Sequence, residues 1–217
     1  MNMCTLMDSS KTDRPEGRTA LVTRKLSRCN IQIAALGETR FPDESQLTEV
    51  KASYTFFWSG RSSDERCEAG VGFAIRSNLI SKLVSLPKGF NDWLMSLRLP
   101  LKGKRHTNFI STHAPIMTNP KEIKDKFYEH LESFIASVPK EDKLVILGDF
   151  NSRVGADYQT WEGVIGRNGV CNSNRNGHLL LKTCAAHDLL ITNTVFHLPN
   201  RNKTSGHAPT QQALASY

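Results

Sequence analysis

The sequence predicts a single domain of mixed α and β structure, in which strands and helices follow one another along most of the chain. Residues 144–147 are four consecutive aliphatic side chains followed by Gly148, which is typical of a strand buried on both faces. Residues 71–75 and 95–99 alternate large apolar side chains with small or polar ones, as half-buried antiparallel strands do. Residues 119–138 repeat apolar side chains at helical spacing, so an amphipathic helix is expected there.

The length and composition of the chain limit the number of domains and the kinds of partner to expect. The 217 residues suffice for one domain with its own core and are too few for two comfortable ones. A hydrophobic fraction of 39% and a charged fraction of 23% are ordinary for a soluble globular protein. The net charge of +7 suits a polyanionic partner such as nucleic acid. Because the basic residues are scattered along the chain, this charge has little weight by itself.

The cysteines and the apolar segments indicate a compartment. The five cysteines are odd in number and lack the paired spacing of zinc ligands, which points to reduced thiols in an intracellular protein. No apolar run is long enough to cross a bilayer, and the N-terminus lacks the apolar segment of a secretory leader. We therefore expect an intracellular protein that does not act at a membrane.

The sequence of residues 1–38 predicts two strands with one helix between them. Residues 1–6 are a short apolar opening that contains Asn2, and both a frayed strand and a disordered tail fit this stretch. Residues 18–29 form an amphipathic pattern at helical spacing. Residues 31–35 then alternate as a strand, and the chain leaving that strand carries Glu38.

The middle of the chain predicts an antiparallel sheet followed by the long helix. Its strands are expected at residues 54–58, 71–75, 95–99 and 109–110. The last of these leads to His113, and a lone histidine at such a place is more often a loop residue than a catalyst. Asn119 is expected to cap the helix, with Pro120 at its first position and Glu122 completing the capping box. Pro139 ends the helix.

Asp149 and Asn151 follow the buried strand directly and are the first candidates for chemistry. They lie two residues apart, so in extended backbone their side chains point the same way. A carboxylate and an amide at one strand end suit an anionic substrate with a divalent metal ion, but most Asp-x-Asn triplets only form Asx turns. After a polar loop at residues 155–176, a helix at 179–186 and a strand at 189–191 complete the pattern.

The segment Gly148–Asn151 after an aliphatic strand resembles the signature of the endonuclease/exonuclease/phosphatase superfamily, which includes apurinic endonucleases and the endonuclease domains of LINE-type retrotransposons. More specifically, the chain resembles the retrotransposon-derived proteins of the craniofacial development protein 2-like group. The stretches that carry this closer resemblance are residues 36–41, 54–60, 125–128 and 190–196. The likeness extends over about the first 205 residues.

The resemblance implies a fold and a set of site residues. The fold is α/β of the α+β type, a four-layer sandwich of two mainly antiparallel sheets flanked by helices. In the family, the residue corresponding to Glu38 is the principal ligand of Mg²⁺, and Asn2 assists in binding metal or phosphate. Asp149 would orient or deprotonate the attacking water, and Asn151 would bind phosphate or water. His113 stands where the family often has a tyrosine that touches the scissile phosphate, so it is a further catalytic candidate. Mn²⁺ is the alternative to Mg²⁺.

The resemblance ends after Ser205. Relatives continue with a tryptophan, a strand that bears an aspartate and a Ser-Asp-His ending, whereas residues 206–217 match none of these. A frameshift and an alternative exon both fit this departure. We therefore predict an incomplete domain at residues 1–205, with its last strands missing, and a divergent, disordered tail at residues 206–217.

Three functions follow as hypotheses. The first is Mg²⁺-dependent hydrolysis of phosphodiester bonds in DNA, weakened or lost because the Asp-His part is absent, with a nuclear location by analogy. The second is a non-catalytic remnant that binds nucleic acid or a protein through its basic surface and an exposed sheet edge. The third is hydrolysis of a phospholipid or an inositol phosphate, which the local matches to retroelement nucleases favour less.

Overall fold

The computed structural model describes residues 16–49, 53–64, 69–197 and 212–216. Two sheets lie at the centre, and helices pack on their outer faces. The strand expected at residues 1–6, with Asn2, lies outside the described residues. None of the helices in the described residues is both long enough and apolar enough to cross a lipid bilayer.

The first sheet contains four strands, all antiparallel to their neighbours, in the order β1-β4-β3-β2. Helix α1 precedes these strands in the chain and covers their outer face through Val22 and Leu26. The bounds are α1 Glu16–Arg28, β1 Ile33–Gly37, β2 Glu44–Glu49, β3 Tyr54–Ser59 and β4 Val71–Arg76.

The second sheet contains six strands in the order β5-β6-β7-β8-β10-β9. Its pairs are antiparallel except for β7 and β8, which run in parallel. The remaining bounds are α2 Ser77–Ile80, β5 Lys88–Gly89, β6 Leu94–Pro100, β7 His106–His113, α3 Lys121–Ser137, β8 Lys143–Asp149, α4 Arg175–Ala186, β9 Leu189–Ile191, a 3₁₀ turn Thr192–Thr194 and β10 Gln212–Ser216.

Three apolar clusters separate the layers. One lies between α1 and the first sheet. A second joins the two sheets, where Phe73 of β4 packs with Met95 and Leu97 of β6. A third lies between the second sheet and helices α3 and α4, around Phe127 and Leu180. The order of the layers is thus helix, sheet, sheet, helix, and the predicted α+β sandwich of two mainly antiparallel sheets is confirmed.

Two local expectations were wrong, and one strand was missed. Only one face of β8 is fully buried, through Leu144 and Ile146, whereas Val145 and Leu147 on the other face keep part of their surface accessible. The predicted Asn119 cap does not form, because Pro120 occupies the cap position and the side-chain Oδ1 of Asn119 accepts from the backbone N–H of Ile116 at 2.8 Å. Strand β2 was not predicted at all.

The segment after Ser205 also differs from expectation where the structure describes it. Residues 212–216 form β10, which lies between β8 and β9 and is antiparallel to both. Its register pairs Leu214 with Ile146 on one side and with Ile191 on the other. The rest of the expected tail, at residues 206–211 and 217, lies outside the described residues.

Asp142 joins the strands of the second sheet at the start of β7 and β8. Its carboxylate accepts from Arg98 Nη2 at 2.8 Å, from Asn108 Nδ2 at 3.1 Å and from the backbone N–H of His106 at 3.0 Å. Burial raises the pKa of Asp142, but the hydrogen bonds from Asn108, Arg98 and His106 together outweigh it, so the pKa lies below its ordinary value of 3.8.

The Asp142→Asn variant is expected to unfold more easily at neutral pH. Because the folded-state pKa is lowered, the charged carboxylate stabilises the fold above pH 3.8, and this contribution is lost as the pH falls through the folded-state pKa. Urea unfolding of both proteins at neutral and at strongly acidic pH tests this, with Asp125→Asn as a control for an exposed carboxylate paired with Lys121. A gap between Asp142→Asn and the wild type that stays constant over this pH range would contradict the expectation.

Candidate active site

The ends of β1, β7 and β8 bring three candidate residues to one edge of the two packed sheets. Glu38 follows β1, while His113 and Asp149 are the last residues of β7 and β8. His113 and Asp149 are directly paired across the parallel strands. Glu38 Oε1 lies 3.6 Å from His113 Nε2, so the first sheet meets the second at this point.

Glu38 adopts an unusual backbone conformation. Its φ of 50° lies in the left-handed region. This conformation costs a non-glycine residue on the order of 1–3 kcal/mol, and residues that adopt it cluster at functional sites. Two backbone hydrogen bonds hold the following residues, from Thr39 N to Gly70 O at 3.1 Å and from Arg40 N to Ala69 O at 3.2 Å. The carboxylate is about one-third exposed, and Arg40 Nη2 lies 3.7 Å from Glu38 Oε2.

The imidazole of His113 packs against the backbone of Gly37. A side chain at position 37 would place its Cβ 2.9 Å from His113 Nδ1, which is closer than real Cβ atoms approach. The glycine therefore makes room for the ring. Nδ1 is buried and has no hydrogen-bond partner within the part of the chain that the structure describes. The ring is thus fixed by packing, with Nε2 directed at Glu38.

Asp149 is held at the strand end by Gly148 and Asn151. Gly148 has a φ of 154°, and a Cβ there would lie 1.8 Å from the carbonyl oxygen of Thr112 on the neighbouring strand. Only glycine allows this close approach of β7 and β8. Asp149 is 7% exposed, and its Oδ1 accepts from the backbone N–H of Asn151 at 2.8 Å. This contact is the Asx-type turn that the sequence left open.

Asn151 is positioned by the loop after β7. Its backbone is also left-handed, with a φ of 47°, a conformation that asparagine tolerates better than most residues. Its Nδ2 donates to the carbonyl oxygen of Ala114 at 2.7 Å. One hydrogen of the amide is thereby used, whereas the second hydrogen and the Oδ1 acceptor form no hydrogen bond with the residues that the structure describes. The side chain can therefore serve both the fold and a ligand.

A divalent metal ion is compatible with these residues, although they do not form a closed cage. Among the described residues, no group of three or more His, Cys, Asp or Glu side chains is arranged to hold a metal ion. Mg²⁺ does not require such a group, since it commonly keeps several waters and binds through one or two carboxylates and the phosphates of the substrate. The accessible carboxylate of Glu38 provides such an oxygen donor.

Comparison with characterised proteins begins with sequence. No protein-family model matches the chain. Craniofacial development protein 2 from Bos taurus is 29% identical over 185 residues, which cover 85% of this chain and 30% of that protein. The protein of the same name from Tragulus javanicus is also 29% identical, with 31% of its length covered. The chain therefore spans about a third of the length of the curated relatives it matches.

Solved structures establish the fold. AP endonuclease LMAP from Leishmania major superposes with a TM-score of 0.60 at 10% identity, over 93% of this chain and 74% of that one. An endonuclease/exonuclease/phosphatase family protein from Leptotrichia buccalis gives 0.51 at 11% identity, over 91% and 80%. The chain has the endonuclease/exonuclease/phosphatase fold. The 3′ phosphatase NExo from Neisseria, bound to product DNA hairpin, shares this fold with a TM-score of 0.54 at 16% identity, over 92% and 81%. The predicted resemblance is thereby confirmed for the fold.

One polar residue near the site of this endonuclease/exonuclease/phosphatase fold was not singled out from the sequence. Asn176, in the first turn of α4, is 2% exposed. Its Nδ2 donates to the carbonyl oxygens of Pro115 at 3.0 Å and of Asn151 at 3.1 Å. It therefore ties the loop after β7 to the loop after β8. Asn174 caps the same helix through its contact with Gly177 N, so an Asn-x-Asn-Gly sequence before an apolar helix was the available signal.

The Asn176→Ala variant is expected to lose about 1–3 kcal/mol of unfolding free energy, because two carbonyl oxygens would lose a donor in a buried place. Urea unfolding measures the difference. Asn172→Ala, at an exposed position of the same loop, is the matched control and is expected to change stability little. Equal stability of the two variants would show that Asn176 does not hold the loops together.

Proposed function

We propose that this chain hydrolyses phosphodiester bonds of DNA with the help of Mg²⁺, as a domain derived from a LINE-type retrotransposon endonuclease. The observation that carries the proposal is the meeting of Glu38, His113 and Asp149 at one edge of this fold. Proteins that share the fold include an AP endonuclease and a 3′ phosphatase bound to product DNA. A nuclear location is proposed together with this substrate.

The residues divide the work according to their surroundings. The carboxylate of Asp149, fixed by Asn151 N, accepts a proton from the attacking water or orients that water. The remaining amide hydrogen of Asn151 donates to a phosphate oxygen. His113 takes the place of the family's tyrosine as a donor to the phosphate. The activity is expected to be well below that of a homologue with the Ser-Asp-His ending in this place, since residues 206–217 do not match that ending.

Mg²⁺, with Mn²⁺ as the alternative, is the proposed ion. Glu38 would hold it through a carboxylate oxygen, and Asn2 remains the proposed assisting ligand outside the described residues. When bound, such an ion offsets the negative charge that develops on the phosphate oxygens.

A non-catalytic remnant that binds nucleic acid is the second candidate. It is favoured by the contacts of Glu38, because Arg40 Nη2 lies 3.7 Å from its carboxylate and can offset the negative charge without a metal ion. Nicking of a supercoiled plasmid by the purified protein, in Mg²⁺ and in EDTA, separates the two. Cleavage that depends on Mg²⁺ supports the hydrolase, whereas binding without cleavage supports the remnant.

A further inference from the structure

The segment after β9 emerges on the same side of the second sheet as the candidate active site. Strands β7 and β8 are parallel, and β10 is antiparallel to both β8 and β9. Strand β9 therefore runs in the same direction as β7 and β8. His113 and Asp149 are the last residues of β7 and β8. Residues 192–197, which follow β9, therefore leave the second sheet at the same edge where His113 and Asp149 lie.

The loop after β8 is hydrogen-bonded to the segment after β9. Gly166 N donates to Thr194 Oγ1 at 2.7 Å, and Asn168 N donates to Thr194 O at 2.9 Å. Asn168 Nδ2 also donates to Val195 O at 2.7 Å. These bonds place Arg167, which lies between Gly166 and Asn168, beside the segment after β9. The two loops thus form one continuous surface.

This surface exposes aromatic, apolar and basic side chains. Tyr158 is 37% exposed, Val195 is 40% exposed and Phe196 is 62% exposed. The guanidinium carbon of Arg167 lies 5.4 Å from the centre of the Tyr158 ring, which is a cation–π contact. We call Tyr158, Arg167, Val195 and Phe196 the stacking surface. Aromatic rings and arginine are the side chains on which unpaired nucleobases stack.

Charge favours a nucleic acid as the occupant of the stacking surface. Arg153 and Arg167 in the loop after β8, and Arg175 at the start of α4, are exposed and form no ion pair with another residue in the described ranges. The Asp157 carboxylate instead turns into its own loop, where it accepts from Thr160 N at 3.2 Å. A second copy of the chain fits less well, because two molecules of net charge +7 repel each other.

We propose that the stacking surface binds unpaired nucleobases of single-stranded or locally opened nucleic acid. The nucleic-acid strand that carries these bases would then run past Arg153, Arg167 and Arg175 toward Asp149. The assignment of this surface to a substrate rests on the proposed function, but the binding itself requires no cleavage. Recognition of this kind is tolerant of sequence, since every base presents a flat face.

Fluorescence anisotropy with labelled oligonucleotides in EDTA tests the proposal without cleavage. The probes are a single strand, the matched duplex and the same duplex with one unpaired base. We expect the wild type to bind the single strand and the unpaired base more tightly than the matched duplex. Tyr158→Ala and Phe196→Ala are each expected to weaken binding of these two probes by about 5- to 100-fold. Tyr158→Phe keeps the ring and should keep the affinity.

Leu21→Ala is the matched control, because Leu21 is 64% exposed on α1, on the far side of the first sheet. Thermal unfolding of every variant separates misfolding from loss of binding. Equal affinity of the wild type for all three probes, or unchanged binding by both alanine variants, would overturn the proposal, and so would self-association that buries Tyr158. Binding as expected with no Mg²⁺-dependent nicking would remove the proposed hydrolase and leave the stacking surface in place.

Discussion

Replacing Asp149 by asparagine is expected to lower the rate of Mg²⁺-dependent plasmid nicking by about 100- to 10,000-fold, the range for loss of one acid–base group. The substitution preserves the size of the side chain and leaves an oxygen to accept from Asn151 N, so the fold should persist. The substitution removes the negative charge of the carboxylate, which accepts a proton from the attacking water or orients that water. The nicked fraction of supercoiled plasmid, followed over time, measures the effect.

Glu38→Gln and Glu129→Gln complete this experiment. Glu38→Gln is expected to reduce nicking and to raise the Mg²⁺ concentration needed for half-maximal cleavage, since an amide oxygen is a poorer ligand than a carboxylate. Glu129 is exposed on α3, and its glutamine variant should cleave like the wild type. Undiminished nicking by both Asp149→Asn and Glu38→Gln would show that the active site has been assigned to the wrong residues.

The Gly148→Ala variant is expected to lose about 3–5 kcal/mol of unfolding free energy, or to fail to fold, which lies in the upper range for single substitutions. Its Cβ would lie 1.8 Å from Thr112 O, a backbone atom that cannot move without separating β7 from β8. The φ of 154° adds strain for any residue with a side chain. Chemical denaturation monitored by tryptophan fluorescence measures the loss.

Gly163→Ala separates the two causes. Gly163 also has a positive φ, of 79°, but a Cβ there meets no heavy atom within 4 Å. We expect it to lose only about 1–2 kcal/mol, from the backbone conformation alone. If Gly148→Ala were no less stable than Gly163→Ala, the steric role of Gly148 would be refuted.

Local patterns in the sequence were sufficient to predict the elements that bury an apolar face. Helix α3 and strand β4 are examples, since each repeats its apolar residues at the spacing of its own secondary structure. Strand β2 could not be found in this way, because Glu44–Glu49 is mostly exposed at the edge of the first sheet and carries no apolar alternation. The Asn119 cap was wrong because the loop before α3 uses that side chain for Ile116.

The candidate site required more than local patterns. Asp149 and Asn151 are close in sequence, and the Asx turn that joins them was one of the two interpretations that their spacing left open. Their side chains do not extend from one strand, because β8 ends at Asp149 and the backbone of Asn151 is left-handed. The approach of Glu38 to His113 depends on how one sheet packs on the other, and only the resemblance to a family suggested it. The contacts of Asn176 likewise depend on where α4 meets the two loops, which no spacing encodes.

The position of β10 has a consequence for the order in which the chain folds. Strand β9 joins its sheet by strand pairing through β10, which follows it in the chain. During synthesis, the edge of β8 therefore stays open until residues 212–216 have left the ribosome. An open edge of this kind invites pairing with other chains, so slow translation of the codons up to residue 216 would favour aggregation of the nascent protein over its native assembly.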